Sequence, residues 1–345
     1  MSEALIRTEG RAGRITLNRP EALNALTWDM IRAIDAALIR WADDATIDLV
    51  IIDGAGDRAF CAGGDIAQMY ATGMAGNYDY GRQFWQDEYR LNARIAGYAK
   101  PIITFLHGFT MGGGVGIGCH ASNRVVDESA QIALPECSIG LVPDVGSTLL
   151  LAQAPGRLGE YLAVTGDRMG PGDALHCGFA DHFIPRANWP GLISTLCETG
   201  TTDAISGSTA PDSPLAQAQP LIDRSFSGER FPDIMRAIST TPPDSLQKAL
   251  DKIARNAPLA MCVTVEFIQQ VRMRPTIAHA LDLEYRYTSR ALAQGDFLEG
   301  IRAALIDRDK SPRWKHAGWD SVPDCDILAM TLPLGTDALQ LEQTS

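Results

Sequence analysis

The hydrophobic pattern of the first fifty residues predicts a strand, a turn, a second strand, a helix and a third strand. From Thr27 to Trp41 the apolar side chains recur at helical spacing, and Thr27 is a candidate N-cap. The run 49–52 is continuously apolar, as expected for a strand covered on both faces. A second such strand is predicted at 101–106, after a helix-like segment at 79–99. The recurring order of strand and helix indicates an α/β fold.

The second half of the chain has a different character. Residues 199–222 are rich in Ser, Thr, Gly and Pro, which favours a surface loop or linker. Beyond them the pattern is helical, with apolar side chains at i, i+3 and i+4 in the segments 244–255, 258–273 and 276–294. The predicted organisation is therefore an α/β core at 1–198, the linker at 199–222, and a helical C-terminal region at 223–345 that covers the site or an oligomer interface.

Composition narrows the range of partners. The chain has 345 residues and a formal charge of -12, so it repels nucleic acid and anionic lipid unless a local basic patch intervenes. No apolar run reaches the length of a membrane span, and the N-terminus shows no secretory signal. The seven cysteines are never spaced CxxC, which argues against a disulfide framework and a zinc site. These observations predict a cytoplasmic protein with no nucleic acid or membrane partner.

Two glycine-rich turns, 59–66 and 107–116, follow the predicted buried strands. Glycine lets a backbone N–H approach a ligand closely, and two such groups from separate turns are what an oxyanion hole needs. The alternative is that these glycines only allow tight turns and close helix–strand packing. No GxxxxGK[ST] motif is present, so the turns do not form a P-loop.

A third segment, 134–147, places Glu136 and Asp144 eight residues apart in apolar, Gly- and Pro-bent sequence. Buried carboxyl groups close to one another raise each other's pKa, which suits a general acid or base near neutral pH. The alternative is that Glu136 caps a helix or forms an ion pair and that Asp144 is an N-cap. His120 is predicted to be structural, with a polar contact in the site as the alternative.

Taken together, these segments resemble the crotonase, or enoyl-CoA hydratase/isomerase, superfamily. The resemblance rests on Ile15–Pro20 with Asn24–Leu26, Phe60–Ile66, Met111–Gly114 and Pro135–Glu136. It implies a crotonase-type spiral of repeated ββα units with a helical C-terminal region. It also implies an acyl-CoA substrate whose oxyanion is held by the backbone N–H groups of Gly64 and Gly113.

One position separates the branches of this superfamily. Hydratases carry a glutamate two residues after the glycine triplet, where this chain has Gly116. The segment from Glu136 to Asp144 and much of the C-terminal half resemble the 3-hydroxyisobutyryl-CoA hydrolase family instead. That resemblance implies hydrolysis of a short branched β-hydroxyacyl-CoA thioester in valine catabolism, with Glu136 and Asp144 as the catalytic pair.

The resemblance also implies which residues contact the substrate. The predicted contacts in the motif turns are Ala62, Gly63, Asp65, Ile66 and Gly112, with Asp65 also predicted to cap the helix that follows. Apart from the resemblance, Arg19 and Arg58 are candidates for the CoA phosphates because they lie near the first motifs in sequence, and the alternative is that they are ordinary solvated arginines. No cofactor and no metal are implied, because CoA is part of the substrate, and a homo-oligomer is left open. Two other functions remain: an enoyl-CoA hydratase or isomerase of the same superfamily, and a catalytically idle acyl-CoA-binding protein.

Overall fold

The computed structural model describes residues 2–240 and 244–341, so residues 1, 241–243 and 342–345 of the predicted regions lie outside it. The strands are β1 Ala4–Glu9, β2 Ala12–Leu17, β3 Leu49–Gly54, β4 Ala59–Cys61, β5 Ile102–Leu106, β6 Phe109–Met111, β7 Asn123–Val126, β8 Gln131–Ala133 and β9 His182–Phe183. The α-helices of the core are α1 Trp28–Ala42, α2 Ile66–Met74, α3 Asp79–Ala96, α4 Gly113–Gly118, α5 Ser147–Gln153, α6 Leu158–Thr165, α7 Pro171–His176 and α8 Trp189–Thr199. The C-terminal α-helices are α9 Pro214–Ser225, α10 Phe231–Thr240, α11 Gln247–Ile253, α12 Pro258–Met273, α13 Ile277–Gln294, α14 Phe297–Ile301 and α15 Asp324–Thr331.

Two sheets alternate along the chain. The larger has the order β1-β2-β3-β5-β7-β9 and is parallel except for the β1–β2 pair, and the smaller has the parallel order β4-β6-β8. After the β1–β2 hairpin, the pairs β3–β4, β5–β6 and β7–β8 each give one strand to each sheet, and helical structure follows each pair. This is the spiral of ββα units that the resemblance implied.

Helix α1 shows how the sequence pattern becomes packing. The Thr27 hydroxyl accepts a hydrogen bond from the Met30 N–H at 3.2 Å, so the predicted N-cap is confirmed. The apolar face of α1, which ends at Trp41, is buried in the core on the side of the larger sheet. The Trp41 ring packs closely on β2, and a Cβ at Gly13 would lie only 2.5 Å from it, so β2 needs a glycine at this position.

The three strands of the smaller sheet set the position of the site. The chain leaves β4, β6 and β8 at residues 62, 112 and 134, and the carboxyl ends of parallel neighbours meet at one edge. Strands β4 and β6 lie inside the segments predicted as glycine-rich turns. Three residues are too few for strand periodicity to show in a sequence.

The C-terminal helices pack on this core. Helix α12 lies against α5 and α6, and α13 lies against α3. Helix α9 occupies the last part of the predicted linker 199–222. Its Pro214 stands in the first helical turn behind the Ser213 cap, and Pro220 lies inside the helix. These two prolines explain why the sequence predicted a loop where the structure has a helix.

Candidate active site

Two backbone amides converge at the shared edge of β4 and β6. Leu26 N–H donates to the Gly63 carbonyl and Asp65 N–H donates to the Leu26 carbonyl, so the N–H of Gly64 takes part in neither bond. A Cβ on Gly113 would lie 3.4 Å from the Gly64 nitrogen, which brings the two predicted oxyanion donors side by side. Gly63, with a φ of +114°, turns the chain at this point in a conformation that favours glycine.

The Glu136 carboxylate lies beside this pair of amides. Glu136 begins the short 3₁₀ turn that follows β8, and its Oε1 is 3.1 Å from where a Cβ on Gly112 would stand. Its Oε2 is buried and has no hydrogen-bond partner among the described residues. Among the described residues Glu136 forms no ion pair, and its side chain caps no helix. Its unpartnered oxygen is therefore available to a bound molecule.

Asp144 reaches the same cavity from the segment before α5. The Tyr89 hydroxyl donates to Asp144 Oδ2 at 2.8 Å, within the buried interior. The N-cap of α5 is Gly146, and no side chain caps it, so Asp144 does not serve as the N-cap. The structure thus brings the two sequence-predicted carboxyl groups, Glu136 and Asp144, to one cavity.

A third carboxyl group, Glu88, completes the cluster and was not predicted. Its Oε1 lies 2.7 Å from the position of a Cβ on Gly113 and has no hydrogen-bond partner among the described residues. Phe84 and Trp85 line the cavity from the same face of α3. The sequence signal was an acidic residue on the apolar face of the predicted helix 79–99, a position where charge is rarely buried without a task.

Burial raises the pKa of these acids. The pKa values of Glu136 and Glu88 lie well above their ordinary value because both groups are desolvated and both face the Asp144 charge. Burial raises the pKa of Asp144 to about 7, although the hydrogen bond from Tyr89 opposes the rise. None of the three forms an ion pair within residues 2–240 and 244–341, so no positive charge restores ionisation.

The cavity is small and mostly apolar. Its volume is about 110 Å³, well below the ~300–1,000 Å³ of sites for drug-sized ligands. Besides the groups named above, its walls include Ala62, Ile66, Met69, Met111, Pro135, Ile139, Leu141, Val145 and Phe297. A short acyl group fits such a space, and the polar atoms lie at its glycine-lined end.

The structure does not bring Arg19, Arg58 or Asp65 to this cavity. Arg19 bonds to the Asp65 carboxylate at 3.1 Å and to Glu3 at 3.2 Å, and Asp65 caps α2 through the Ala67 N–H. Arg58 is exposed and lines neither this cavity nor the groove described next. The two arginines were predicted from their nearness in sequence to the first motifs, which does not fix the direction of a side chain.

A larger basic groove adjoins the cavity. It has a volume of about 640 Å³ and shares Met111 and Pro135 with the smaller cavity as common walls. Arg168, Arg255 and Lys310 line it from three distant parts of the chain. The side chains of Arg255 and Lys310 form no ion pair with the described residues. On an acidic protein, this groove is a local positive surface next to the acid cluster.

Comparison with known proteins places the chain in a family. The family model for enoyl-CoA hydratase/isomerase matches residues 12–330. The chain belongs to the enoyl-CoA hydratase/isomerase family. The crotonase-type α/β fold predicted from the sequence is confirmed.

Curated relatives of this chain carry hydrolase names. It is 38% identical to 3-hydroxyisobutyryl-CoA hydrolase, mitochondrial, of Danio rerio over 91% of this chain and 85% of that protein. The protein of the same name from Gallus gallus is 35% identical over 99% of this chain and 91% of its own length. The predicted resemblance to this hydrolase family is therefore confirmed. Because both relatives are mitochondrial by name, the cytoplasmic location of this chain stays a prediction.

Solved structures agree on the fold but differ in name. An enoyl-CoA hydratase from Rhodobacter sphaeroides 2.4.1 superposes with a TM-score of 0.95 at 51% identity, covering 99% of this chain and 100% of that one. A carnitinyl-CoA dehydratase from Mycobacterium thermoresistibile gives a TM-score of 0.94 at 36% identity, with coverages of 99% and 100%. Within the described ranges, no helix is long and apolar enough to cross a bilayer, and no group of three or more His, Cys, Asp or Glu side chains is arranged so that it could hold a metal ion.

Proposed function

We propose that this chain hydrolyses the thioester of a short branched β-hydroxyacyl-CoA, with 3-hydroxyisobutyryl-CoA as its substrate. The observation that carries the proposal is the placement of the Glu136 carboxylate beside the paired amides of Gly64 and Gly113. The names of the curated relatives support the same substrate. A role in valine catabolism follows from that substrate and stays a prediction.

In this mechanism the acyl carbonyl oxygen sits between the N–H groups of Gly64 and Gly113. Only the ionised form of Glu136 can act as the base, and its raised pKa makes that form a stronger base. A water oxygen attacks the carbonyl carbon while this carboxylate accepts the water proton, and the two amides stabilise the resulting oxyanion. When the intermediate collapses, the carbon–sulfur bond breaks and CoA leaves as the thiolate. A route in which Glu136 attacks the carbonyl itself and forms a transient anhydride uses the same geometry.

Asp144 and Glu88 have separate tasks in this proposal. Burial raises the pKa of Asp144 to about 7, so its protonated form is accessible near neutral pH and donates its proton to the departing thiolate. Glu88 faces Gly113 with a free oxygen, in a place where it accepts a hydrogen bond from the substrate's β-hydroxyl. A hydroxyl partner of this kind discriminates against acyl groups that lack the hydroxyl.

The basic groove is the proposed binding surface for the CoA phosphates. Arg168, Arg255 and Lys310 supply positive charge, and the common walls Met111 and Pro135 connect the groove to the acid cluster. A thioester in the small cavity therefore has a path for its pantetheine arm toward these charges. This assignment replaces Arg19 and Arg58, whose positions do not support a phosphate contact.

The test offers 3-hydroxyisobutyryl-CoA and crotonyl-CoA to the purified protein and follows free thiol with a thiol reagent. The expected result is thiol release from the first substrate, with a loss of at least ~10²-fold in kcat for Glu136→Gln. Glu160→Gln is the matched control, because Glu160 is a buried acid held by Arg272, remote from the cavity. Near-normal hydrolysis by Glu136→Gln would remove the assignment, and binding of acyl-CoA without turnover would favour the idle binding protein.

Hydration of an enoyl-CoA is the second candidate, and one observation favours it. Hydration uses two carboxyl groups, and Glu88 brings a second one to the oxyanion site although residue 116 is glycine. A Cβ on Gly116 would lie 2.7 Å from Asn92 Nδ2, so this position has no room for a glutamate. Loss of the enoyl absorbance of crotonyl-CoA without thiol release would support hydration and contradict hydrolysis.

A further inference from the structure

The turn that carries Asp144 has an unfavourable backbone conformation. Val145 has a φ of +56° and Gly146 a φ of +79°, so two consecutive residues lie in the left-handed region. That region is rare and strained for a β-branched residue such as Val145. His120 Nε2 donates to the Val145 carbonyl at 2.9 Å, which agrees with the predicted structural role of this histidine. A strained turn persists only when its surroundings hold it.

Helix α13 supplies the strongest of these restraints. The carboxylate of Glu284 accepts hydrogen bonds from the Gly146 N–H at 2.6 Å and the Thr148 N–H at 3.0 Å, and from the Thr148 hydroxyl. Glu284 is fully buried, and no part of it lines the cavity. Glu284 therefore does not contact a molecule in the cavity. Its hydrogen bonds go to Gly146, two residues after Asp144, and to Thr148 in the first turn of α5.

The next turn of the same helix reaches the Asp144 side chain through a tyrosine. Thr288 lies four residues after Glu284, and its Oγ1 is 3.3 Å from the Tyr89 hydroxyl. The Tyr89 hydroxyl has a single proton, which it donates to Asp144 Oδ2 at 2.8 Å, so in the longer contact it accepts from the Thr288 hydroxyl. Helix α13 thus restrains Asp144 twice, once through its backbone and once through its carboxyl group.

We propose that Glu284, Thr288 and Tyr89 are positioning residues for Asp144, so that the C-terminal region forms part of the active site and does not only cover it. The proposal rests on the proposed function in one respect, the use of Asp144 in catalysis. The three residues touch neither the reacting atoms nor CoA, and they act through Asp144 alone.

The proposal makes a prediction for the titration of Asp144. The titratable groups that face it are Glu88 and Tyr89 from α3, Glu136 from the turn after β8, and Glu284 from α13. The neighbouring acids favour the neutral form of Asp144, and the hydrogen bond from Tyr89 favours the ionised form. Tyr89→Phe removes that bond, so the pKa of Asp144 should rise by about 1 pH unit.

The kinetic experiment places Tyr89→Phe, Thr288→Val and Glu284→Gln in the wild-type protein and in Asp144→Asn. In the wild-type background each should lower kcat by roughly 10–100-fold and change KM by less than about threefold. In the Asp144→Asn background each should cause almost no further loss, because residues that act through one group are not additive. Glu284→Gln is informative because its amide presents a donor where two N–H groups need acceptors.

Tyr98→Phe and Glu160→Gln are the matched controls. Tyr98 lies just beyond the end of α3, and its hydroxyl donates to the Leu38 carbonyl. Glu160 is a buried acid that does not line the cavity. Both should leave kcat and its pH profile unchanged. Equal losses in the two backgrounds, or an unchanged kcat in Tyr89→Phe and Thr288→Val, would overturn the proposal. These two variants decide the question even if Glu284→Gln does not fold.

A titration without substrate separates this proposal from the proposed function. The carboxyl of Asp144, assigned by its loss in Asp144→Asn, is followed by ¹³C NMR in wild-type protein and in Tyr89→Phe. A raised pKa together with absent thiol release from wild-type protein would overturn the hydrolase function and leave the positioning of Asp144 standing. An unmoved pKa would overturn the positioning role even if hydrolysis is fast.

Discussion

Asp144 should destabilise the folded protein at neutral and alkaline pH, so Asp144→Asn should raise the free energy of unfolding. The carboxyl group is buried, with other acids as neighbours and no cation. An asparagine has nearly the same shape, can still accept the hydrogen bond from Tyr89, and carries no charge. The substitution should abolish hydrolysis and increase the stability of the folded protein, as expected when function requires a group that destabilises the fold.

The size of this effect follows from the pKa of Asp144. Its rise from the ordinary value of 3.8 to about 7 is about three pH units, or about 4 kcal/mol at ~1.4 kcal/mol per unit. Between these two values the folded protein keeps a proton that the unfolded chain has lost, so stability falls as pH rises. The advantage of Asp144→Asn should therefore grow by about 2–3 kcal/mol between pH 5 and pH 8.

Urea unfolding at pH 5 and pH 8 measures this difference directly. Asp181→Asn is the control with the opposite sign. Burial would raise the pKa of Asp181, but its hydrogen bonds and charge interaction with Arg124 lower it, so its ionised form stabilises the fold. Asp181→Asn should lower stability at both pH values, both above that pKa. If Asp144→Asn and wild-type protein show the same pH dependence, Asp144 is not a buried neutral acid and the reasoning fails.

Three further predictions concern the site. Gly113→Ala places a methyl group 2.7 Å from Glu88 Oε1, beside the proposed oxyanion donors, so kcat for thiol release should fall by ~10²–10³-fold. Gly191→Ala is the control, because a Cβ there meets no atom within 4 Å, and its kcat should be unchanged. Arg255→Glu with Lys310→Glu should raise KM for the CoA thioester about tenfold and leave the N-acetylcysteamine thioester, which lacks the nucleotide, unaffected; an equal rise for both would contradict the groove. Glu88→Gln should reduce the preference for β-hydroxyacyl over plain acyl substrates in competition assays, and an unchanged ratio would contradict its role.

Local features of the site could be predicted from the sequence because their chemistry is written in short segments. The two glycine-rich turns follow predicted strands, and the resemblance pointed to Gly64 and Gly113 as their free N–H donors. Glu136 and Asp144 stand in an apolar segment, where acids are rarely buried without a task or a partner. The α/β class followed from the hydrophobic pattern, and the spiral was implied by the resemblance of these segments to the crotonase superfamily. Helices such as α1 and α12 were visible because their apolar stripes are long.

Features assembled from distant residues could not be predicted in this way. Glu88 becomes part of the site only because α3 packs its apolar face toward the amides, which depends on the folded arrangement. The basic groove joins residues 168, 255 and 310, which share no sequence segment. Arg19 was expected at the phosphates, but two nearby carboxylates bind it first. Hydrophobic periodicity indicates which side chains are buried, but it does not indicate which residues from other segments they contact.

The crowding of uncompensated acids beside the Gly64 and Gly113 amides should link the binding of a ligand in the cavity to proton exchange with the solvent. Glu88, Glu136 and Asp144 compete for protons at neutral pH, and an arriving acyl group removes the water that eases their ionisation. Ligand binding should therefore take up protons. Heats of association measured by calorimetry will consequently differ between buffers of different ionisation enthalpy, even where the affinity is the same.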